Sequence, residues 1–315
     1  MIPNQSLKTP GAGIDIVPFN GWTNNLRLCN GTAELIITLD VGPRILSYTK
    51  LGGFNPFKIF EDQTGTTGEP VWKSRGGHRL WLAPEDRAIT YCPDNSPVAW
   101  QQTGELKVML TSPPEQASGV QKQIEITLDP TGTGVTLLHR VTRLAAAPAQ
   151  FALWALTVLT AGGVAIVPQP PLGEHPRDLL PNRKLVLWPY TDMSDRRWHF
   201  GRRYLLLRQD AACGPTKIGL AHQPGWCGYL VNGVLFVKHY PWEPSAVYPD
   251  EGCNFETFTN EKMLELESLS PLVQVNSQQS VEHVERWELH DAPGSLDPNS
   301  EESLDALLKP VLEKI

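Results

Sequence analysis

The densest group of residues able to take part in chemistry lies within residues 76–86, which read GGHRLWLAPED. His78 can exchange a proton near neutral pH, and Arg79 can hold a hydroxyl or a carboxylate. The indole of Trp81 can stack on the apolar face of a sugar ring, while Glu85 can bind its hydroxyls. We therefore predict a catalytic His78 and a substrate-binding Arg79, Trp81 and Glu85. The alternative is a turn followed by an edge strand with exposed charges.

A second group of polar and aromatic residues lies between positions 239 and 256. It contains His239, Trp242, Glu251, Asn254 and Glu256. Proline and glycine in the same stretch indicate a surface crossing rather than a core strand. We predict that Glu251 or Glu256 is catalytic and that the other three bind substrate. For each carboxylate, the alternative is a solvated surface charge.

Three further candidates lie outside these two groups. Arg44 follows a turn at residues 41–43, Trp188 lies among charged residues, and His222 lies in a turn-like stretch. Arg44 and Trp188 are predicted to bind substrate, and His222 is a second candidate for the proton donor. Most of the 10 tryptophans could instead pack in the core.

Other chemistries have little support in the sequence. The 8 histidines include no HxH or HxxxH pair, and the 5 cysteines include no CxxC pair, so we predict no metal site. Neither a GxSxG nucleophile motif nor a GxGxxG or P-loop motif occurs, so no cofactor is predicted. A net charge of −7 argues against nucleic-acid binding.

The compartment can also be predicted. The longest apolar run, residues 151–167, is interrupted by threonine and glycine and is shorter than a membrane span. The first ten residues carry no signal-peptide pattern. We predict a cytoplasmic protein with reduced thiols and no membrane partner.

An arginine-rich stretch, residues 172–204, interrupts the pattern of the surrounding chain. Because arginine binds carboxylate and phosphate through two parallel hydrogen bonds, this stretch favours an anionic sugar as the ligand. The alternative is internal pairing with Asp178, Asp192 and Asp195.

The elements that must position these residues are mostly strands. Polar and apolar residues alternate within residues 105–110, 124–128 and 135–141, as in half-buried antiparallel strands. Asn232-Gly233 lies between two β-rich runs and predicts a two-residue hairpin loop that pairs Val231 with Val234. Because predicted helices do not alternate with the predicted strands, we predict an all-β antiparallel sandwich.

The C-terminal tail is the exception. Apolar residues at positions 304, 307, 308, 311, 312 and 315 share one helical face. Asn299 or Ser300 is predicted to cap this helix, and Pro310 to break or kink it. We predict an N-terminal extension over residues 1–20, a sandwich domain over 21–290 and a helical tail over 291–315.

Several motifs resemble an uncharacterised bacterial domain family within the galactose-mutarotase-like superfamily, which includes the aldose 1-epimerases. The motifs lie at residues 40–44, 77–81, 93–97, 187–193, 252–258 and 281–287. The resemblance covers about residues 20 to 290. It implies an antiparallel supersandwich with a sugar site on a concave sheet surface.

The resemblance also implies a reaction. In the epimerases, a glutamate removes the proton of the anomeric hydroxyl while a histidine protonates the ring oxygen. The expected glutamate position corresponds to Gln279, which cannot take a proton at neutral pH. The predicted acid is His78 or His222, and the predicted base is Glu256 or Glu251. Glu265, Glu267 and Glu285 are further candidates to replace the missing base, and no spacing argument selects one of them. The alternative function is carbohydrate binding or sensing without catalysis.

Overall fold

A computed structural model describes residues 11–292, 296–297 and 300–313, which form strands, one α-helix and a short 3-10 helix at Glu61–Gln63. The first strands along the chain are β1 (Gly13–Phe19), β2 (Trp22–Cys29), β3 (Ala33–Thr38), β4 (Arg44–Lys50), β5 (Gly77–Ala83), β6 (Ala99–Gly104), β7 (Lys107–Thr111), β8 (Val120–Leu128), β9 (Val135–Arg143), β10 (Ala149–Thr160) and β11 (Val164–Pro168). The remaining elements are β12 (Leu185–Leu187), β13 (Trp198–Phe200), β14 (Tyr204–Arg208), β15 (Thr216–Leu220), β16 (Trp226–Val231), β17 (Val234–His239), β18 (Phe255–Thr259), β19 (Met263–Leu269), β20 (Val273–Val275), β21 (Ser280–Asp291) and α1 (Glu301–Leu312).

The strands form two antiparallel sheets. The first sheet has the order β1-β2-β3-β4-β5-β10-β19-β18-β15-β12, with β20 paired to β10. The second sheet has the order β13-β14-β11-β16-β17-β21-β9-β8-β7-β6. This arrangement confirms the predicted all-β antiparallel sandwich with a C-terminal helix.

The main core lies between the two sheets and follows from the period-two pattern. In β8, Ile124, Ile126 and Leu128 point inward and are at most 1% exposed, while the residues between them are half-buried. Each such large apolar side chain stabilises the fold by about 1.5–3 kcal/mol on burial. The opposite face of β8 carries the half-buried polar residues.

The predicted hairpin is confirmed. Asn232 and Gly233 both have positive φ, at 47° and 74°, as a two-residue turn requires. Val231 pairs with Val234, and Tyr229 pairs with Phe236.

Helix α1 covers the outer face of the second sheet. Ser300 caps it by accepting a hydrogen bond from the backbone N–H of Ser303. Leu304, Leu308 and Val311 are buried against apolar side chains of that sheet. The predicted break at Pro310 is wrong, because α1 continues through this residue to position 312. The helix ends so soon afterwards that the missing N–H interrupts only its last turn.

Part of the predicted N-terminal extension belongs to the first strand. Within the predicted extension over residues 1–20, residues 13–19 form β1 and pair with β2 in the first sheet. Residues 1–10 of that extension lie outside the described residues, as do the candidate cap Asn299 and the last predicted face residue, Ile315.

The glycine turn at the start of β5 determines where the side chains of this strand lie. Gly76 and Gly77 have φ of +87° and +71°, a region that favours glycine. A Cβ on Gly77 would collide with the backbone carbonyl oxygen of Ile45. The glycine pair therefore allows β5 to approach β4 closely, and the following residues alternate between the two faces of the first sheet.

Candidate functional site

Five charged residues lie together on the face of the first sheet that points away from the second sheet. Arg79 lies on β5, Lys217 on β15, Glu256 on β18, and Glu265 and Glu267 on β19. Their strand neighbours Leu80, Ile218, Phe255, Leu264 and Leu266 pack in the core between the sheets. Because side chains alternate along a strand, the charged residues must lie on the opposite face. We call these five residues the carboxylate face.

Ion pairs connect the members of the carboxylate face. The Nζ of Lys217 lies 2.6 Å from Oε2 of Glu256 and 3.0 Å from Oε2 of Glu267. The Nη2 of Arg79 donates to Oε1 of Glu265 at 3.0 Å. The strand register brings Glu256 and Glu267 to the same ammonium, because the two residues are directly opposite each other on paired strands.

Some polar atoms of this face have no hydrogen-bond partner among the described residues. They are Nε and Nη1 of Arg79, Oε1 of Glu267 and the carboxyl oxygens of Glu256, although Oε2 of Glu256 lies 2.6 Å from Nζ of Lys217 in an ion pair. Arg79 is only 2% exposed and Glu267 is fully buried. Because buried polar groups in folded proteins almost always find partners, these atoms indicate a place where a polar ligand can complete the network.

Aromatic rings surround the charged groups. The guanidinium of Arg79 lies 4.3 Å from the ring centroid of Trp81, and Lys217 Nζ lies 4.6 Å from that of Trp154 and 4.7 Å from that of Trp188. The indole Nε1 of Trp154 donates to Oε2 of Glu267 at 2.8 Å. The face thus combines flat apolar rings with donors and acceptors, the combination that binds a sugar ring and its hydroxyls.

Burial raises the pKa values of three carboxyl groups in this region. Burial, with the charges of Glu267 and Asp250, raises the pKa of Glu256 well above its usual range despite the opposing effect of Lys217. Burial also raises the pKa of Glu265 and of Asp250. Glu267 lies opposite Glu256 and accepts hydrogen bonds from Lys217 and Trp154. Two carboxyl groups in different surroundings therefore lie beside the same ammonium.

A surface cavity leads towards this group. It has a volume of about 350 Å³ and is lined by Val186, Leu187, Trp188, Pro189, Asp250 and Glu251. Trp188 also contacts Lys217, and Asp250 neighbours Glu256. The volume falls in the range of small-molecule sites, roughly 300–1,000 Å³.

The structure brings several predicted site residues to this region. Arg79, Trp81 and Glu256 form part of it, and Trp188 covers it. Glu85 accepts a hydrogen bond from the hydroxyl of Tyr91, whose ring contacts Trp81.

Arg44 lies beside the site rather than in it. It is next to Arg79 in the strand register, but its guanidinium donates to Asp94 and to the carbonyls of Ser74 and Gly76. It therefore holds loops in place.

The expectation that His78 joins Arg79 in one cleft is wrong. Because the two residues are adjacent in β5, their side chains point to opposite faces of the sheet. His78 is fully buried between the sheets, where its Nδ1 lies 2.9 Å from Oγ1 of Thr157 and its Nε2 lies 2.8 Å from Nε2 of His139. Burial, aided by Lys238, lowers the pKa of His78 well below its usual value.

His78 belongs to a polar network in the core. Ligand atoms of His78, His139 and Glu285 lie within 4.8 Å of one another, a spacing compatible with a metal ion. However, Glu285 is already paired with Lys238 Nζ at 2.8 Å, and the two imidazoles hydrogen-bond to each other. Burial raises the pKa of Glu285, but the positive charge of Lys238 outweighs this effect and holds the pKa below its usual value. The network is therefore satisfied by its own groups, and we interpret it as structural.

His222 and Asn254 also lie away from the carboxylate face. The Nε2 of His222 lies 2.7 Å from the carbonyl oxygen of Pro168, and the hydroxyl of Tyr240 lies 2.6 Å from its Nδ1. Burial lowers the pKa of His222 to about 4. Asn254 accepts from the backbone N–H of His222 and donates to its carbonyl, so both residues fix a chain crossing.

The other candidates of the second group are dispersed. Trp242 stacks on Tyr248 with a ring separation of 5.2 Å. His239 lines a separate cavity beside Pro271 and Arg286. Glu251 is exposed at the rim of the cavity near Trp188, and its carbonyl oxygen accepts from Lys184.

Gln279 has a local role in the turn before β21. Its side-chain oxygen accepts from the amide of Asn276 at 3.0 Å, and the side chain is exposed.

Several arginines of the arginine-rich stretch, residues 172–204, pair with acidic residues of the chain, as the alternative in the sequence analysis expects. Arg177 pairs with Glu174 and Asp178, and Arg197 pairs with Asp195 at 2.6 Å. Arg203 pairs with carboxylates of helix α1. These contacts attach the stretch to the fold.

Sequence reasoning did not place Lys217 or Trp154 in the site, and it named Glu267 only as one of several unselected replacements for the base. The available signal was charge within strands that are otherwise buried. Glu265 and Glu267 alternate with Leu264 and Leu266, and a buried strand carries such charges only where they find partners.

No protein-family model and no curated protein matches the chain, whereas many solved structures do. A galactose mutarotase-like protein from Lactobacillus casei ATCC 334 superposes with a TM-score of 0.58 at 10% identity, covering 85% of this chain and 100% of that chain. A galactose mutarotase-like protein from Clostridium acetobutylicum gives a TM-score of 0.56 at 10% identity, covering 89% and 99%. The Slr1438 protein from Synechocystis sp. PCC 6803 gives 0.58 at 12% identity, covering 87% and 99%.

Within the part of the chain that the structure describes, no helix has the length and apolar character needed to cross a membrane. The two sheets, their order and these structural likenesses agree with the resemblance found in the sequence motifs. The chain has the galactose-mutarotase-like fold.

Proposed function

We propose that the chain binds a carbohydrate at the carboxylate face and interconverts its anomers by acid–base catalysis. The observation that carries this proposal is the set of unpartnered polar atoms on Arg79 and Glu267, buried among indole rings. A pyranose can donate a hydroxyl to Glu267, accept from Arg79 and stack an apolar ring face on an indole.

The two carboxyl groups beside Lys217 suit the two proton transfers of ring opening. Glu267, as the general base, takes the proton of the anomeric hydroxyl, and the electrons of that O–H bond form the C1 carbonyl. The bond between C1 and the ring oxygen breaks, and protonated Glu256 gives its proton to the ring oxygen. Rotation about C1–C2 and the reverse transfers close the other anomer, which restores both groups.

This assignment changes the roles expected from the sequence. The predicted acids His78 and His222 are both fully buried in other contacts, and both have lowered pKa values. Burial raises the pKa of Glu256, which the sequence analysis expects as the base. A raised pKa favours the protonated form that a general acid needs, so Glu256 suits this role better.

Anomer exchange measured by NMR tests the proposal. We expect the purified chain to accelerate exchange of at least one aldose in a panel that includes glucose and galactose. Glu256→Gln and Glu267→Gln should each slow the catalysed exchange by about 10²-fold or more. Glu115→Gln is the matched control, because Glu115 belongs to a buried ion pair with Lys122 elsewhere in the fold. Unchanged exchange across the panel would refute catalysis.

Sugar binding without turnover is the second candidate. It is favoured by the ion pairing of the carboxylates, because Lys217 and Arg79 already hold Glu256, Glu267 and Glu265. Saturable binding by calorimetry together with uncatalysed exchange would select this function.

A further inference from the structure

We propose that the carboxylate face selects a positively charged sugar. On this inference, which rests on the proposed carbohydrate binding, an amino sugar binds more tightly than the neutral sugar of the same shape, and a uronate binds most weakly. The proposal follows from the charges that converge here, from the rings that line the approach and from the unpartnered buried atoms described above.

Carboxyl groups outnumber the buried cations at this face. Arg79 and Lys217 are the buried cations, and Glu256, Glu265, Glu267 and Asp250 are the acids around them. The neighbouring cation Arg44 is already taken by Asp94 at 2.7 Å. A carboxylate added by a ligand would therefore bring a further acid to this group, whereas an ammonium would bring a cation that stabilises the ionised form of a carboxyl.

The approach to the face is also suited to a cation. Trp188 lines the surface cavity and its ring contacts Lys217, whose ammonium also contacts the ring of Trp154. Indole faces attract cations within about 6 Å of the ring centroid. Oε1 of Glu267 has no hydrogen-bond partner among the described residues and is available to an ammonium donor.

Binding of an ammonium should release a proton from Glu256. This carboxyl faces Lys217 from β15, Glu267 from β19 and Asp250 from the preceding loop, and its burial favours the protonated form. An incoming positive charge favours the ionised form instead. Glu256 then lacks the proton that it must give to the ring oxygen. An amino sugar should therefore bind tightly and undergo anomer exchange slowly.

Titration calorimetry with matched sugars tests this inference. The probes are glucosamine, glucose and glucuronate, with galactosamine, galactose and galacturonate as a second series, at pH 6 with the full chain. We expect the amino sugar to bind about tenfold more tightly than the neutral sugar. Measured in two buffers of different ionisation enthalpy, its binding should release a proton, whereas neutral-sugar binding should not.

Two variants make the test specific. In Glu256→Gln, the ratio of amino-sugar to neutral-sugar affinity should fall and the proton release should disappear. In Glu115→Gln, whose carboxylate pairs with Lys122 elsewhere, the ratio should stay unchanged. Thermal unfolding of both variants verifies that they are folded.

The outcomes separate this inference from the proposed function. Equal affinities for amino and neutral sugars, or tighter binding of the uronate, would overturn the charge preference and leave carbohydrate binding intact. If no sugar of either series binds, both proposals fail.

Discussion

Lys217 is the residue whose loss should disturb the carboxylate face most. Its ammonium lies within 3.0 Å of the carboxylates of Glu256 and Glu267, and both of those side chains are fully buried. Lys217→Met keeps much of the side-chain volume and removes only the charge. It leaves two acids side by side in a medium that stabilises charge poorly.

The cost can be estimated from this burial. Breaking a buried ion pair by removing one partner typically costs about 3–5 kcal/mol. At about 2–4 °C per kcal/mol for a chain of this order of size, the midpoint of thermal unfolding should fall by about 6–20 °C. Lys107→Met is the matched control, because Lys107 pairs with Glu125 at 2.7 Å but is 37% exposed. An exposed pair of this kind contributes about 0–1 kcal/mol.

The loss should depend on pH with a defined sign. The pKa of Glu256 is already raised in the folded chain, and removing Lys217 raises it further. A carboxyl whose pKa is raised in the folded state stabilises the fold fully at pH values below its unfolded-state pKa, which is about 4.3. This contribution to stability is lost as the pH rises. The deficit of Lys217→Met should therefore be small near pH 4 and grow towards pH 8.

A second substitution tests whether the two neighbouring acids cause the loss of stability. Lys217→Met combined with Glu256→Gln removes one of the two neighbouring acids, so calorimetry should find the double variant more stable than Lys217→Met alone at pH 7. If Lys217→Met costs no more than Lys107→Met, or if Glu256→Gln gives no rescue, the electrostatic reasoning is wrong.

Three further predictions concern the fold and use thermal or denaturant unfolding. Lys238→Met should cost about 3–5 kcal/mol, because it leaves its buried carboxylate partner without a counter-charge; a loss under about 1 kcal/mol would contradict the network. Gly77→Ala should destabilise clearly more than Gly132→Ala, because both have positive φ but only Gly77 faces a backbone collision; equal losses would contradict that account. Leu308→Ala should cost about 2–5 kcal/mol, whereas Leu312→Ala, at 40% exposure, should cost much less; equal values would contradict the docking of the helix.

The fold is accessible from the sequence because strand alternation and turn chemistry are local. The Asn232-Gly233 loop specifies a hairpin and its register without any tertiary information. The same local reasoning misses β1, because the half-buried edge strand at residues 13–19 has a weak apolar pattern.

The site is harder to predict, because sheet pairing brings together residues far apart in the chain. Arg79 and Glu265 are separated by 186 positions and meet only across β5, β10 and β19. The sequence points to Arg79, Trp81 and Glu256 individually. It offers no means of joining them to Lys217 and Glu267.

Adjacency in sequence is misleading at one position. His78 and Arg79 are neighbours in the chain and are predicted to share one site, but neighbouring strand residues face opposite sides of a sheet. In β5 this rule sends the histidine into the core network and the arginine to the carboxylate face. Strand alternation alone, applied to residues 77–83, is therefore sufficient to separate the two side chains.

The central claim is that a sugar contacts the carboxylate face, and the indole N–H signals of two tryptophans test it directly. Nε1 of Trp154 donates to Glu267 at this face, while Nε1 of Trp287 donates to Glu285 in the core network. In a titration with an aldose or an amino sugar followed by ¹⁵N–¹H NMR, the Trp154 signal should shift saturably and the Trp287 signal should stay in place. A saturable shift of Trp287 with no change at Trp154, or no shift of either signal with any sugar tested, would contradict the account.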